Sequence, residues 1–317
     1  MKGRQRGALG PGAEFDRIRA IFTALGRAGS GLGDDAAFIR VGGTTLAASV
    51  DLSLEGVHFR TAWLSFRDIG RRATNAALSD LAACGARPLA VLVSVGLPRR
   101  RGGRDPGAEI MAGVGRAALD AGARVVGGDL VRSARYLVDV CVLGVAPRPV
   151  RRRGARPGDG VWVTGTLGGS GRALALLSAG RSPRGSLWRR FARPEPRLAA
   201  GRWLAAHGAR AMIDVSDGLA ADAAHIAAAS GLAVEIDLGL LPCWPGVGPT
   251  AAAASGDEYE LLAVLPPPFG PRQARAFARA MGLRLTCIGR CIEGAGVRVT
   301  DRGHTLPVPR GFDHFAP

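Results

Sequence analysis

The hydrophobic period of this chain switches repeatedly between the alternation of a strand and the three-to-four spacing of a helix, and both periods break over "PRPVRRRGARPGD", residues 147 to 159. A chain that alternates in this way folds as sheets covered by helices, and a mid-chain break rich in proline and glycine predicts two units. Before the break, Phe15, Ile18, Ile21, Phe22 and Leu25 predict a helix over 13–26. "AAFIRV" and "TLAASVDLSLEGVHF" read as strands, and "DIGRRATNAALSDLAACGA" as a helix with Ile69, Ala73, Ala77 and Leu81 on one face. The strand "PLAVLVSVGLP", the helix "GAEIMAGVGRAALDAGA" and the strands "RVVGGD" and "YLVDVCVLGVA" complete the first half. After the break come a strand "GVWVTG", a glycine-rich turn "TLGGSG" and a helix starting near Arg172. Further helices are predicted at 196–207, 217–229 and 271–281, with strands "RAMID", "AVEIDL", "YELLAVLP" and "LTCIG". The expected fold class is α/β (α+β), with domains at 13–148 and 149–317.

Composition narrows the chemistry. With 42 basic and 26 acidic residues among 317, the net charge is +16, which raises nucleic acid, an anionic membrane or a polyanionic small molecule as partners. Lys2 is the sole lysine. A phosphate loop with an invariant lysine, a protein-kinase lysine and a pyridoxal Schiff base are therefore excluded, because each needs that amine inside a folded site. Phosphate chemistry here must rest on arginine, backbone amides and metal ions. Five cysteines at 84, 141, 243, 287 and 291 form neither a disulfide framework nor a zinc pattern and read as small buried apolar residues. Charges interrupt every alanine-rich stretch before a membrane span is complete, and no signal peptide is evident, so a cytoplasmic location is expected.

The acids fall where predicted strands end. Asp51 closes "TLAASVD", Asp129 closes "RVVGGD", Asp214 and Asp217 close "RAMIDVSD", Asp34 and Asp35 precede a strand, and Asp80 lies on a helix. Strand ends are where α/β proteins gather ligand groups, so these carboxylates are candidates to converge. Each taken singly also has the form of a solvated loop acid or a cap, Ser216 with Asp217 ahead of Leu219 being a good cap. Carboxylates that do converge repel one another unless divalent cations lie between them, and magnesium prefers such oxygen ligands beside phosphates. "TGTLGGSG", residues 164–171, could cradle phosphate on its free amides, and His58 in "LEGVHF" could face the same cleft as Asp51. His225 is expected on an ordinary helix face.

Taken in order, "GLGDDAAF", "SVDLSLEGVHF", "LSDLAACGARP", "VVGGD", "RPGDGVWVTGTLGGSG", "IDVSDGLAADAAHIAAASG", "GDEYELL" and "GFDHF" resemble the thiamine-monophosphate kinase family, within the ATP-binding superfamily of aminoimidazole ribonucleotide synthetase. The resemblance implies ATP-dependent phosphorylation of thiamine monophosphate to thiamine diphosphate, with Mg²⁺ required and direct in-line transfer. It implies a mixed N-terminal sheet that forms a barrel across a homodimer, and a C-terminal α/β sandwich. By resemblance the metal ligands are Asp35, Asp51, Asp80, Asp129, Asp214 and Asp217 with Ser49. Gly128, Asp129, Arg152 and Ser216 match nucleotide positions, and His58, Asp257 or Glu258, and Phe312 match substrate positions. No residue is assigned as nucleophile or general base. The chain departs from the family at Val50 and Leu130, where threonine is usual, at Ala77, where asparagine is usual, and in the order Asp257-Glu258. The alternatives are a purine-intermediate synthetase of the same superfamily, or an impaired relative that binds nucleic acid. Sparse aromatics and dispersed arginines count against nucleic acid as a partner.

Overall fold

The computed structural model describes residues 9–29, 31–99 and 104–315. Lys2 lies outside them. The first half contains α1 (Ala13–Leu25), β1 (Ala37–Val41), β2 (Thr44–Leu54), α2 (Phe66–Ala83), β3 (Arg87–Leu97), α3 (Pro106–Asp120), β4 (Arg124–Arg132) and β5 (Leu137–Val145). The five strands form one sheet in the order β1-β2-β5-β3-β4, antiparallel except for the β3–β4 pair. On one face Val91, Val93 and Val95 of β3 and Val138, Val140 and Val142 of β5 alternate inward against Ile69, Ala73, Ala77 and Leu81 of α2 and Ile110 and Val114 of α3. Helices α2 and α3 touch backbone to backbone, because a Cβ at Gly70 or Gly113 would collide with the carbonyls of Ile110 and Arg67.

The second half contains β6 (Gly160–Thr164), α4 (Gly169–Ser178), α5 (Gly185–Ala192), α6 (Leu198–Ala206), β7 (Ala211–Asp214), α7 (Leu219–Ser230), β8 (Ala233–Asp237), α8 (Pro249–Ala253), β9 (Leu261–Leu265), α9 (Pro271–Met281), β10 (Leu285–Ile292), β11 (Gly296–Asp301) and β12 (His304–Leu306). The strands form a seven-stranded sheet in the order β12-β11-β8-β10-β6-β9-β7. Side chains alternate to two apolar layers. Val161, Val163, Ile213 and Val234 face α7, and Trp162, Met212, Ala263 and Leu265 face α6 and α9.

The barrel expected from the resemblance is corrected by the strand order. The first sheet is an open row with β1 and β4 at its two edges, and the second is an open row from β12 to β7, so neither sheet closes. What the chain has is two mixed sheets with helices on them. The stretch 147–159 also differs from a solvated linker: Asp159 is fully buried and bound to Arg210 at 2.6 Å, and Arg151 and Arg152 are tied to residues ahead of β1. Of the cysteines, Cys84 and Cys291 are buried, Cys141 and Cys243 half-buried, and Cys287 exposed, against the expectation that all five are buried. Among the described residues no helix is long and apolar enough to cross a membrane.

Candidate active site

Strand alternation puts Ser49 and Asp51 on the face of β2 that meets α2, while Val50 points away and is 62% exposed. Asp80, on the last turns of α2, accepts a 2.5 Å hydrogen bond from Ser49 Oγ. One residue earlier, Ser79 donates to Asp214 Oδ2 at 2.6 Å, which fixes the end of β7 against the same helix. Asp35 completes a trio: single oxygens of Asp35, Asp80 and Asp214 lie within 4.8 Å of one another. The neighbouring Asp34 is turned to other work, accepting from Arg151 Nη1 at 2.7 Å and from the Arg152 amide at 2.9 Å.

Asp80 and Asp214 of the trio line a cleft of about 890 Å³ between the two halves, together with Asp51, Asp217 and Arg152 and with His58, Asp257 and Phe312. Phe15, Ile18 and Phe22 of α1 also line it, which explains an amphipathic helix with no buried residue. Burial raises the proton affinity of every acid in the cluster. Asp80 is pushed well above the usual carboxylate range by burial and then by the charges of Asp214 and Asp35. Asp214 is pushed up to about 7 by burial and Asp35, Asp51 to about 6 by burial and Asp257, and Asp217 to about 6 by burial and Glu14. Asp35 is also raised by burial, opposed by the Arg152 guanidinium.

Three crowded carboxylates served by two hydroxyls and one guanidinium form an all-oxygen donor set, and that is the chemistry a hard divalent cation such as Mg²⁺ requires. The residues fit the metal.

Three expected site features lie elsewhere. Gly168 and Ser170, in the glycine turn, donate their amides at 2.8 and 3.0 Å to Glu258 Oε1, and Gly171 donates to Ser255 Oγ, so these amides are already satisfied within the chain. Glu258 is fully buried, receives Ser255 Oγ and Arg190 as well, and holds the turn; the acid that faces the cleft is Asp257. Asp257 sits at φ 56°, a left-handed conformation that costs about 1–3 kcal/mol in a residue with a side chain, and is gripped by Arg72 at 2.7 Å and by the Tyr259 hydroxyl at 2.7 Å. Gly128 and Asp129 stand on the exposed edge strand β4, outside the cleft lining. Register separates the two: Asp51, Val140, Val93 and Gly128 run across the sheet in one row, with Gly128 on the edge strand, whereas Leu52, Asp139, Ser94 and Asp129 form the next row, on the opposite face.

Residues 33–146 match the model of the AIR synthase related protein N-terminal domain, and residues 156–302 that of the C-terminal domain. The thiamine-monophosphate kinase of Caulobacter vibrioides is 35% identical over 96% of this chain and 91% of its own length. The chain belongs to the thiamine-monophosphate kinase family. The solved thiamine-monophosphate kinase of Aquifex aeolicus superimposes with a TM-score of 0.79 at 30% identity, covering 92% of this chain and 97% of that one. The structure of AaThiL complexed with AMPPCP and TMP gives a TM-score of 0.83 at 32% identity, covering 95% and 97%.

Against the thiamine-monophosphate kinase pattern, the departures acquire physical settings. Val50 and Leu130 are both exposed side chains, at 62% and 67%, and Ala77 is fully buried where α2 packs on its sheet. Sequence reasoning missed Arg72, which is 5% exposed, lies over the Phe191 ring and anchors Asp257. Its signal was present, since Arg72, Ala76 and Asp80 follow one another at four-residue spacing on one face of α2. Asp222 was missed too. The expected Ser216–Asp217 cap is replaced by this acid, which accepts the amides of Ser216 and Gly218 at 3.1 Å and shapes the loop that presents Asp217. His314, whose ring lies 5.0 Å from His58 and 4.7 Å from Phe312, extends the aromatic end of the cleft.

Proposed function

We propose that this chain transfers the γ-phosphoryl group of ATP to the phosphate of thiamine monophosphate, yielding thiamine diphosphate and ADP. The observation that carries this reading is the trio Asp35, Asp80 and Asp214 at a cleft that His58, Asp257 and Phe312 also line. A phosphate monoester has a second pKa of about 6, so the acceptor oxygen is ionised at neutral pH and needs no general base. The remaining task is to hold two polyanions in line. Asp35, Asp80 and Asp214, with Asp51 and Asp217 on the cleft wall and Ser49 bonded to Asp80, are the residues that would hold Mg²⁺. When bound, the metal supplies positive charge that offsets phosphate repulsion. Arg152 spends Nε and Nη2 on Asp35 and keeps Nη1 for a nucleotide phosphate, and Ser216 lies beside it in the lining. In the same cleft His58 accepts the Leu54 amide on Nδ1 at 3.0 Å, which leaves Nε2–H as its donor toward substrate. Phe312, 53% exposed, offers a face to the thiamine rings, and Asp257 offers a negative charge to their cationic part.

Two further assignments belong to this reading. Residues 13–148 and 149–317 act as the two domains, and the chain works as a homodimer in the cytoplasm. Support for pairing comes from the face of the first sheet away from α2, where Val50 and Leu52 are exposed, and from β4, exposed along its whole length. Gly128 and Asp129 stand on that strand, so their nucleotide role is tied to the paired state. The decisive assay is ADP release that requires both thiamine monophosphate and Mg²⁺. Folded protein that shows no dependence on thiamine monophosphate overturns the proposal.

A further inference from the structure

Outside the catalytic cleft, a second cavity of about 350 Å³ lies where α5 and the segment after it meet α2. Five arginines line it, Arg71, Arg189, Arg190, Arg193 and Arg197, together with the ring of Trp244. The acids that neutralise them are engaged from other sides. Arg190 and Arg197 bind Glu258 and Glu260, both fully buried and neither in the lining, Arg193 binds Asp68, and Arg71 binds Asp120. Glu195 is the one acid of the lining, and its side chain is 80% exposed and bound to Arg197. In this lining, the buried Arg71 Nε and the exposed guanidinium of Arg189 have no acceptor among the described residues.

Although four of these guanidinium groups are paired from behind, Arg189 and Arg71 keep donors unspent at the hollow, and phosphate, with several acceptor oxygens, matches the fork geometry of a guanidinium. We propose that this cavity binds a small phosphorylated anion, a site separate from the cleft that carries the phosphoryl transfer. Trp244 adds a flat apolar wall on which a ring of an organic phosphate ester can stack. The site adjoins the glycine turn: a Cβ at Gly169 would meet Trp244 Cε3 at 2.7 Å and Arg190 Cγ at 3.0 Å.

Titration calorimetry of the full chain with inorganic pyrophosphate, in the presence of a chelator, tests the site directly. Wild type and Arg152→Ala, whose change lies at the cleft, are expected to bind alike when both are measured well below the variant's lowered melting temperature. Arg189→Ala is expected to bind about tenfold more weakly and Arg189→Glu not measurably. Because the Arg189 side chain is exposed and makes no hydrogen bond, both variants should keep the wild-type melting temperature. No saturable binding to wild type, or equal affinity in the Arg189 variants, overturns the proposal. Phenyl phosphate binding more tightly than inorganic phosphate, with the gain lost in Trp244→Leu, marks the ligand as an aryl ester; equal affinities mark it as the inorganic anion.

Discussion

Arg152 donates from both Nε and Nη2 to one oxygen of Asp35, at 3.2 and 2.9 Å, and so ties the segment entering the second sheet to the residue that precedes the first. The pair is largely buried, with side chains 17% and 3% exposed. Removing one partner of such a pair leaves the other charged and desolvated, which costs about 3–5 kcal/mol. Arg152→Ala is therefore expected to lower the melting temperature by several degrees and to raise the KM for ATP. A thermal midpoint equal to wild type would show that the pair does not join the halves.

Asp51 lines the cleft, and its carboxyl is pushed up to about 6 by burial and the nearby Asp257 charge. Asp51→Asn relieves that repulsion, so stability without metal should hold or rise slightly. Turnover should fall by about 100-fold or more, because a charged ligand at the phosphoryl site is gone. ADP release together with calorimetry separates the two effects, and retained activity removes Asp51 from the metal shell.

Asp257 and Glu258 are adjacent in sequence and divided in role. Asp257→Asn should raise the KM for thiamine monophosphate by about tenfold with a small change in melting temperature, since the amide still reaches Arg72. Glu258→Ala takes one of the two carboxylates from Arg190 and the acceptor from two turn amides, and should destabilise by about 3 kcal/mol or more. Urea unfolding and steady-state kinetics on both variants check the division. The reverse pattern would place Glu258 at the substrate.

His225 is 2% exposed, accepts the Gly10 amide on Nδ1 at 2.9 Å, and is pushed down to about 3 by burial and then by Arg152. Between about pH 6.5 and pH 3 the unfolded chain therefore binds a proton here that the folded chain refuses, so this residue makes stability fall as pH falls, by up to about 1.4 kcal/mol per unit. The buried acids raised above their usual range act with the opposite sign, so the measurement is a difference. The gap in urea midpoint between His225→Gln and wild type should shift in favour of the variant as pH drops from 7 to about 4. A gap independent of pH would show that the imidazole is protonated in place.

Period and composition alone fixed much of this protein. The alternation of β3 and β5, the four-residue spacing of α2 and the sequence GPRQARAFARAMG, which gives α9 its proline start and glycine stop, are local patterns, and each became the expected element. Helix α5 and the β11–β12 hairpin escaped notice: α5 is short and arginine-rich, and the hairpin strands are too brief to establish a period. The sole lysine ruled out several kinase chemistries without any coordinates. Tertiary structure decided which acids meet. Asp35, Asp80 and Asp214 are separated by 45 and 134 positions, and only the docking of β7 and the pre-β1 loop on α2 brings them together. Asp129 resembles them in sequence context, yet strand register turns it to the opposite face, because a pleated strand sends neighbouring side chains to opposite sides. Likewise only packing separated Asp257 from Glu258, and only packing brought Arg71 to the run Arg189, Arg190, Arg193 and Arg197 around one cavity. Sequence patterns report which face of an element is apolar; distances between elements far apart in the chain follow from how those faces pack.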